Sequence, residues 1–170
     1  MGMDVYGKDP IENKPLSEFP VLEKYKDMDF KEKWKDLDSN EKLRTKYWKE
    51  QDAYDDINVG SYFRNNCWWW RPLWDYCKWI APELISDELW ELGHNNNGAG
   101  LDDAGAKELG SMLIKSLDDG TAEIYVREHR LDAEQKEKAG DKWATSYPID
   151  LDNIERFARF CLECGGFEIN

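Results

Sequence analysis

The sequence predicts a mixed α+β fold, in which a small sheet is packed with five to seven helices. Strand-like patterns occur in three short segments, at the N-terminus, in the centre and near the C-terminus. Between them, apolar residues recur three or four positions apart, as on one face of a helix. Because a short strand needs partners to be stable, we expect the three strands to pair. The chain of 170 residues fits one domain, residues 1–170.

The first strand is predicted from the N-terminal sequence GMDVYG. Its residues alternate between apolar and polar, so Met3 and Val5 are expected on one face of the sheet. Gly7 and the turn-forming pair Asp9-Pro10 are expected to end this strand.

A charged helical insertion is predicted at about residues 10–58. The segment is rich in charged residues, and its apolar residues follow helical spacing over about 21–35 and 40–56. Asp38 and Glu41 fit the N-terminus of the second helix. The pattern leaves open whether this insertion docks on the domain or serves as a recognition arm.

The centre of the chain is expected to form a strand and then a helix. Aromatic residues favour a strand that extends through the tryptophans at 68–70, whose side chains would alternate between the two faces of the sheet. Pro72 fits the first turn of the following helix. Ala81-Pro82 is expected to end that helix, because a residue before proline disfavours helical geometry.

The next segments predict two helices separated by a loop. Ser86 is a candidate N-cap for a short helix that ends at Gly93. The polar, glycine-rich sequence that follows is expected to be a loop. Asp102 then opens a longer helix, with Gly120 beyond its C-terminus.

The last third of the chain predicts two more helices and a closing strand. Thr121 can begin a helix that reaches about Lys138, although the sequence EIYVR within it also fits a strand. Asp150 is a candidate N-cap, and Ile149 and Ile154 are spaced for a hydrophobic staple. The final GFEIN is expected to pair with the other two strands.

The charge of the chain is strongly acidic and unevenly distributed. The net charge is −13. Residues 59–80 carry three basic residues, Arg64, Arg71 and Lys78, and one acidic residue, Asp75. In residues 81–170, acidic residues outnumber basic ones. Binding to duplex DNA is not expected, because phosphate contacts need clustered lysine and arginine. The acidic part favours either solubility alone or a surface that imitates nucleic acid.

The sequence predicts neither a metal site nor a cofactor. The four cysteines do not form the two closely spaced pairs of a zinc ribbon, and we interpret them as buried apolar residues. The N-terminus lacks the features of a secretion signal, and no apolar run approaches the ~18 residues of a membrane span. We therefore expect a cytoplasmic protein that does not bind membranes.

Three blocks of the sequence resemble a family of small, uncharacterised proteins of bacteriophages and bacteria. They are GMDVYG, YFRNNCWWWRPLWDYC and GGFEI, which together cover less than a fifth of the chain. The resemblance implies a phage or mobile-element origin and a host- or defence-directed role. It implies no activity and no catalytic residues, and the charged segment 10–58 is not part of it.

The central block carries the candidate binding site. Tryptophan offers a flat stacking surface, arginine binds anionic groups or aromatic rings, and asparagine can both donate and accept hydrogen bonds. Such groups suit a nucleotide-like ligand or a single-stranded base. The candidate residues in the block and in the later loop are Arg64, Asn65, Asn66, Trp69, Arg71, Trp74, His94 and Asn96. Core packing is the alternative role for the tryptophans.

The sequence favours a non-catalytic binding protein whose ligand is a host or phage protein or a nucleotide-like molecule. No nucleotide-binding or hydrolase motif is present, so no catalytic residue is assigned. One alternative is an acidic mimic that inhibits a nucleic-acid-binding protein. Another is a small hydrolase or transferase that uses His94.

Overall fold

The computed structural model describes residues 2–170 and has the α+β architecture that the sequence predicts. The three strands are β1 (Gly2–Gly7), β2 (Tyr62–Asn66) and β3 (Phe167–Ile169). They form one antiparallel sheet in the order β2-β1-β3, so the N-terminal strand lies between the other two. The expected pairing of the first, central and last strands is confirmed.

The residues described contain eight α-helices. They are α1 (Pro20–Tyr25), α2 (Phe30–Asp38), α3 (Glu41–Ile57), α4 (Cys67–Ile80), α5 (Asp87–Leu92), α6 (Asp103–Asp118), α7 (Thr121–Lys138) and α8 (Leu151–Glu163). The chain divides into two units, of which the first holds the sheet and the five helices α4–α8, and the second holds α1–α3. No helix within residues 2–170 is both long and apolar enough to span a membrane.

The second unit, Glu12–Val59, has its own small core. The helix expected over 21–35 is instead two helices, because the chain turns after Tyr25 and Asp29 caps α2 by accepting from two backbone amides. The helix over 40–56 is confirmed as α3, but its cap is Asn40 and not Asp38. Asn40 Oδ1 accepts a hydrogen bond from the amide of Leu43 at 3.2 Å.

In the first unit, one face of the sheet packs against the helices. Met3, Val5 and Phe63 are buried on this face, whereas their neighbours along the strands are more exposed. Val5 lies opposite Phe63 on one side and Ile169 on the other. The predicted alternation of β1 is therefore confirmed, and the apolar face of the sheet forms part of the main core.

The central strand is shorter than expected, because β2 ends at Asn66 and the tryptophans lie on α4. Asn66 Oδ1 accepts from the amides of Trp68 and Trp69 at 3.0 and 3.1 Å, which starts the helix there. The alternation of side chains predicted through 68–70 is therefore wrong. Pro72 is not in the first turn but inside α4, where it cannot donate to the carbonyl of Trp68.

The helix boundaries predicted from caps agree with the structure. Ser86, Asp102 and Asp150 each accept a hydrogen bond from the first turn of their helices, α5, α6 and α8. Gly120 follows α6 with a φ of +81°, a conformation that glycine adopts without strain. The segment 121–138 is entirely helical, so the strand alternative for EIYVR is wrong.

The core of the first unit is built around two tryptophans of α4. Trp70 and Trp74 are fully buried and stack with ring centroids 5.5 Å apart. Their indole nitrogens donate to the carbonyls of Gly93 and Trp90 at 2.7 and 3.0 Å. Because these bonds satisfy the only polar atom of each indole, the two rings can be buried at little cost and hold α5 against α4.

Candidate functional site

The structure separates the predicted site residues into several places. Arg64 lies on the exposed face of β2, and its Nε is 3.5 Å from Asp4 Oδ1. Tyr62 donates its hydroxyl to the same carboxylate, and burial raises the pKa of that hydroxyl. The polar groups of Asp4, Tyr62 and Arg64 therefore already pair with one another.

Two predicted residues have structural roles. Trp74 is fully buried within the core, so it presents no face to a ligand. The Oδ1 of Asn66 accepts the amides of the first turn of α4. Trp74 is buried because it lies on the inner face of α4. A buried indole cannot serve as the stacking surface for a ligand that the sequence predicted.

Arg71 lies on the outer side of α4 and contacts an aromatic residue far along the chain. Its Nη1 donates to the hydroxyl of Tyr147 at 3.2 Å, and its guanidinium lies 6.0 Å from the centre of the same ring. Trp68 also packs on Tyr147, with ring centroids 4.8 Å apart. The three side chains form an exposed contact between α4 and the segment before α8.

Both ring nitrogens of His94 are in hydrogen-bonding contact with acceptors. Nδ1 lies 2.8 Å from the carbonyl of Trp90, and Nε2 lies 3.3 Å from Asp75 Oδ1. The hydrogen bond with Asp75 raises the pKa of His94 against the opposing effect of burial. An imidazole held between two acceptors has no free nitrogen to act as a general base, so the geometry does not favour catalysis by His94.

Asn96 anchors its loop to the start of β1, the central strand of the sheet. Its Nδ2 donates to the backbone carbonyl of Gly2 at 3.1 Å. This contact gives the exposed loop after α5 a fixed attachment, and it leaves the side-chain oxygen of Asn96 as the group that could face a ligand.

Asn65 and Trp69 are the two predicted residues that line one pocket. The cavity has a volume of about 250 Å³ and lies where β2 leads into α4, beside the N-terminus of α8. We call it the α8 pocket. Its lining residues are Asn65, Trp69, Asp150, Asp152, Asn153 and Arg156.

The elements around the α8 pocket position each side chain through local structure. Asn65 lies on the buried face of β2, next to the strand end. Trp69 is half-buried in the first turn of α4, whose start is fixed by the Asn66 cap. Asp150 Oδ1 accepts from the amide of Asn153 at 2.8 Å, which fixes the first turn of α8.

The main polar feature of the α8 pocket is a buried asparagine with an unused donor. Asn153 is 4% exposed, and its Oδ1 accepts from Asn65 Nδ2 at 3.0 Å. The Nδ2 of Asn153 has no hydrogen-bond partner within residues 2–170. A buried unpaired donor costs about 1–3 kcal/mol, so an acceptor that binds to it contributes a corresponding stabilisation.

The charges of the α8 pocket are mixed. Arg156 is exposed and lies 5.5 Å from the centre of the Phe63 ring, which supports its guanidinium at the rim. Asp150 and Asp152 are also exposed, so the lining carries two carboxylates and one guanidinium. The pocket thus combines an aromatic surface, a buried amide donor and carboxylate acceptors, a set that suits a planar polar heterocycle better than a phosphate.

Sequence reasoning missed Asn153 and Arg156. Asn153 lies one helical turn before the buried Phe157, and a polar residue on the apolar stripe of α8 was a signal that could have identified it. Its partner Asn65 is 88 residues away in sequence. No spacing rule connects two residues so far apart, so only the fold brings them together.

No metal site is found within residues 2–170. No group of three or more histidine, cysteine, aspartate or glutamate side chains there is arranged to hold an ion. The four cysteines are unpaired, and Cys77, Cys161 and Cys164 are buried. Burial raises the pKa of the Cys164 thiol to about 11, which makes it a poor nucleophile and ligand.

Comparisons with known proteins give no further guide to the site. Neither the protein-family models, nor the curated proteins, nor the solved structures contain a match to this chain. The chemistry of the α8 pocket is therefore the guide to function.

Proposed function

We propose that the protein is a non-catalytic binding protein that holds the base of a nucleoside-like ligand in the α8 pocket. The observation that carries this proposal is the unpaired Nδ2 of Asn153, buried beside Trp69. A ligand carbonyl or ring nitrogen would accept this hydrogen bond and remove the cost of the unpaired donor.

The other groups of the pocket suit the remaining features of a base. Nucleobases offer donors beside their acceptors, and Asp150 and Asp152 supply carboxylates that accept them. Trp69 supplies a stacking surface, and stacking of one base on an aromatic side chain contributes about 1–3 kcal/mol. Because the acidic groups outnumber Arg156, the pocket favours the base and not the phosphates.

We infer a binding protein and not an enzyme from the side chains that line the pocket. No serine, threonine, cysteine, lysine or histidine lines the pocket, and His94 lies elsewhere between two acceptors. The resemblance of three sequence blocks to phage and bacterial proteins supports a host- or defence-directed role. In that role, the protein would sequester or sense a nucleoside-containing molecule, or recognise a base that is exposed on a partner.

Calorimetric titration with adenosine, guanosine, cytidine and uridine tests the proposal. At least one nucleoside should bind, and Trp69→Ala should weaken that binding by about tenfold or more through the loss of stacking. Trp68→Ala is the matched control, because Trp68 is the adjacent exposed tryptophan and packs on Tyr147. The absence of binding by all four nucleosides, or an equal loss in both variants, would contradict the proposal.

A second variant isolates the amide donor. Asn153→Asp keeps an oxygen that can accept from Asn65 but removes the donor that faces the ligand. We expect at least tenfold weaker nucleoside binding with a folded protein, checked by circular dichroism. Unchanged affinity in a folded Asn153→Asp protein would show that this donor does not bind the ligand.

A further inference from the structure

A second cavity, on the outer side of α4 and α7, has a different chemistry. Its volume is about 340 Å³, larger than that of the α8 pocket. We call it the α7 cavity. Its lining residues are Trp79, Thr121, Ile124, Tyr125, Glu128, His129 and Asp132.

Aromatic rings form one side of the α7 cavity. Trp79 is 53% exposed, and its ring centroid lies 5.1 Å from that of Tyr125. Behind them, the buried Tyr76 stacks on Trp79 at 5.8 Å and donates its hydroxyl to Ser116 Oγ at 2.7 Å. The exposed indole is therefore held in place by packing, as a preformed binding surface requires.

The polar side of the α7 cavity is acidic. Glu128 and Asp132 are four residues apart on α7, so both carboxylates lie on the same face of the helix. Asp132 already pairs with Lys136, with Oδ2 and Nζ 2.7 Å apart. Glu128 thus supplies the carboxylate that can face a ligand, and Asp132 adds negative potential at the rim.

The remaining titratable groups of the cavity carry no charge near neutral pH. Burial, followed by the negative charge of Asp75, raises the pKa of Tyr125 to about 12. Burial also lowers the pKa of His129, against the opposing influence of Asp132. The α7 cavity therefore combines neutral aromatic surfaces with net negative charge.

We propose that the α7 cavity binds an alkylammonium group. The faces of tryptophan and tyrosine attract cations, and a methylated ammonium is weakly hydrated enough to leave water for an aromatic surface. The Glu128 carboxylate opposes the positive charge of such a group. An anionic ligand would be repelled, and a neutral apolar ligand would leave the carboxylate without a partner. This site shares no lining residue with the α8 pocket and does not depend on its function.

Choline and its neutral analogue 3,3-dimethylbutan-1-ol provide the test, because they have nearly the same shape and differ in charge. Binding to the full chain would be followed in NMR spectra by the shift of the Trp79 indole N–H signal and of the Tyr125 ring signals, which remain observable when Trp79 is replaced. We expect choline to bind at least about fivefold more tightly than the alcohol. Equal binding of the two, or no binding of choline, would overturn the proposal.

Variants assign the binding to the cavity. Trp79→Leu should abolish choline binding, and Glu128→Gln should weaken it several-fold without changing the cavity shape. Trp143→Leu is the control, because Trp143 is 68% exposed and does not line the cavity. The control variant should bind choline like the unmodified protein; loss of binding in Trp143→Leu, or its retention in Trp79→Leu, would overturn the assignment.

Two sources can supply the alkylammonium group, and a peptide distinguishes them. The group can belong to a free small molecule or to a methylated lysine of a partner protein. A short peptide with one trimethyllysine that binds more tightly than choline indicates a protein partner. Tighter binding of choline indicates a free cation, and both results support the site.

Discussion

The side chains of Asn65 and Asn153 show how one buried pair can mark a site. The Nδ2 of Asn65 donates a hydrogen bond to Asn153, whereas the Nδ2 of Asn153 has no partner within residues 2–170. The residue Asn153 is only 4% exposed. A purely structural amide at such a position would be expected to find a partner for both of its ends. Asn153 also lines the α8 pocket, which is why we assign its unused donor to a ligand.

The environment of His94 makes the free energy of unfolding depend on pH. Its pKa is raised in the folded protein, chiefly by the hydrogen bond with Asp75 and despite burial and the charge of Arg71. The protonated ring therefore stabilises the fold; this contribution is fully present below the ordinary pKa of about 6.5 and is lost as the pH rises through the folded pKa. His94→Gln should therefore destabilise the protein more at acidic than at alkaline pH.

Urea unfolding of the unmodified protein and of His94→Gln, at about pH 5.5 and about pH 8.5, measures this difference. His129, whose pKa is lowered by burial, titrates in both proteins, so its contribution cancels in the comparison. A free-energy difference that is equal at the two pH values, or larger at the alkaline one, would contradict the role of His94.

At the scale of elements, α4 explains why the sequence prediction of the centre was only partly right. The aromatic run favours a strand by propensity, but Asn66 caps a helix at that point. On a helix, Trp70 and Trp74 are one turn apart and share the buried face, and Cys77 continues it. The positions of Trp70, Trp74 and Cys77 have helical spacing in the sequence. The preference of tryptophan for strands nevertheless favours a strand at this point.

The helices α5, α6 and α8 were predicted more accurately, because the cap of each agrees with the pattern that follows it. Ser86, Asp102 and Asp150 each precede an amphipathic stretch, so the local pattern and the cap agree. The segment of α7 lacks a side-chain cap and has a thin apolar face, so its sequence also fitted a strand. Its helical form depends on packing against other elements, which sequence alone does not reveal.

The close contact of α5 with α4 predicts a destabilising substitution. A Cβ at Gly93 would lie 2.2 Å from Trp74 Nε1, and the indole cannot move because it is buried and bonded to Trp90. We therefore expect Gly93→Ala to lower the free energy of unfolding by about 1–3 kcal/mol. Chemical denaturation measures the change.

Gly98→Ala is a control that separates steric contact from the effect of replacing a glycine. Gly98 has no atom within 4 Å of an added Cβ, although its φ of +81° adds some backbone strain. If Gly93→Ala cost no more than Gly98→Ala, the packing of α5 on Trp74 would be looser than described.

At the scale of the whole molecule, the sheet of the first unit joins the two ends of the chain. The amide of Asp4 donates to the carbonyl of Asn170 at 3.0 Å, and the amide of Asn170 donates back at 2.7 Å. The pairing of the ends could be predicted, because short strands need partners. The α8 pocket could not be predicted, because it combines residues of β2 and α8 that only the complete fold brings together.

Deletion of Gly166–Asn170 tests this closure. The deletion removes β3 with the fully buried Phe167 and Ile169, so the first unit should lose its cooperative thermal transition. Glu168→Ala is the control, because Glu168 is exposed on the same strand and its replacement should change the free energy of unfolding by less than about 0.5 kcal/mol. An unchanged melting temperature after the deletion would show that the terminal strand does not hold the fold.

The most direct test of the central claim follows the side-chain amide of Asn153 by ¹H–¹⁵N NMR during titration with the nucleoside that binds most tightly. Our account predicts a large downfield shift of one Nδ2 proton as it donates to the base, together with a shift of the Trp69 indole signal. Saturation with the nucleoside while the Asn153 amide signals stay unchanged would contradict the account and place the binding site elsewhere on the protein.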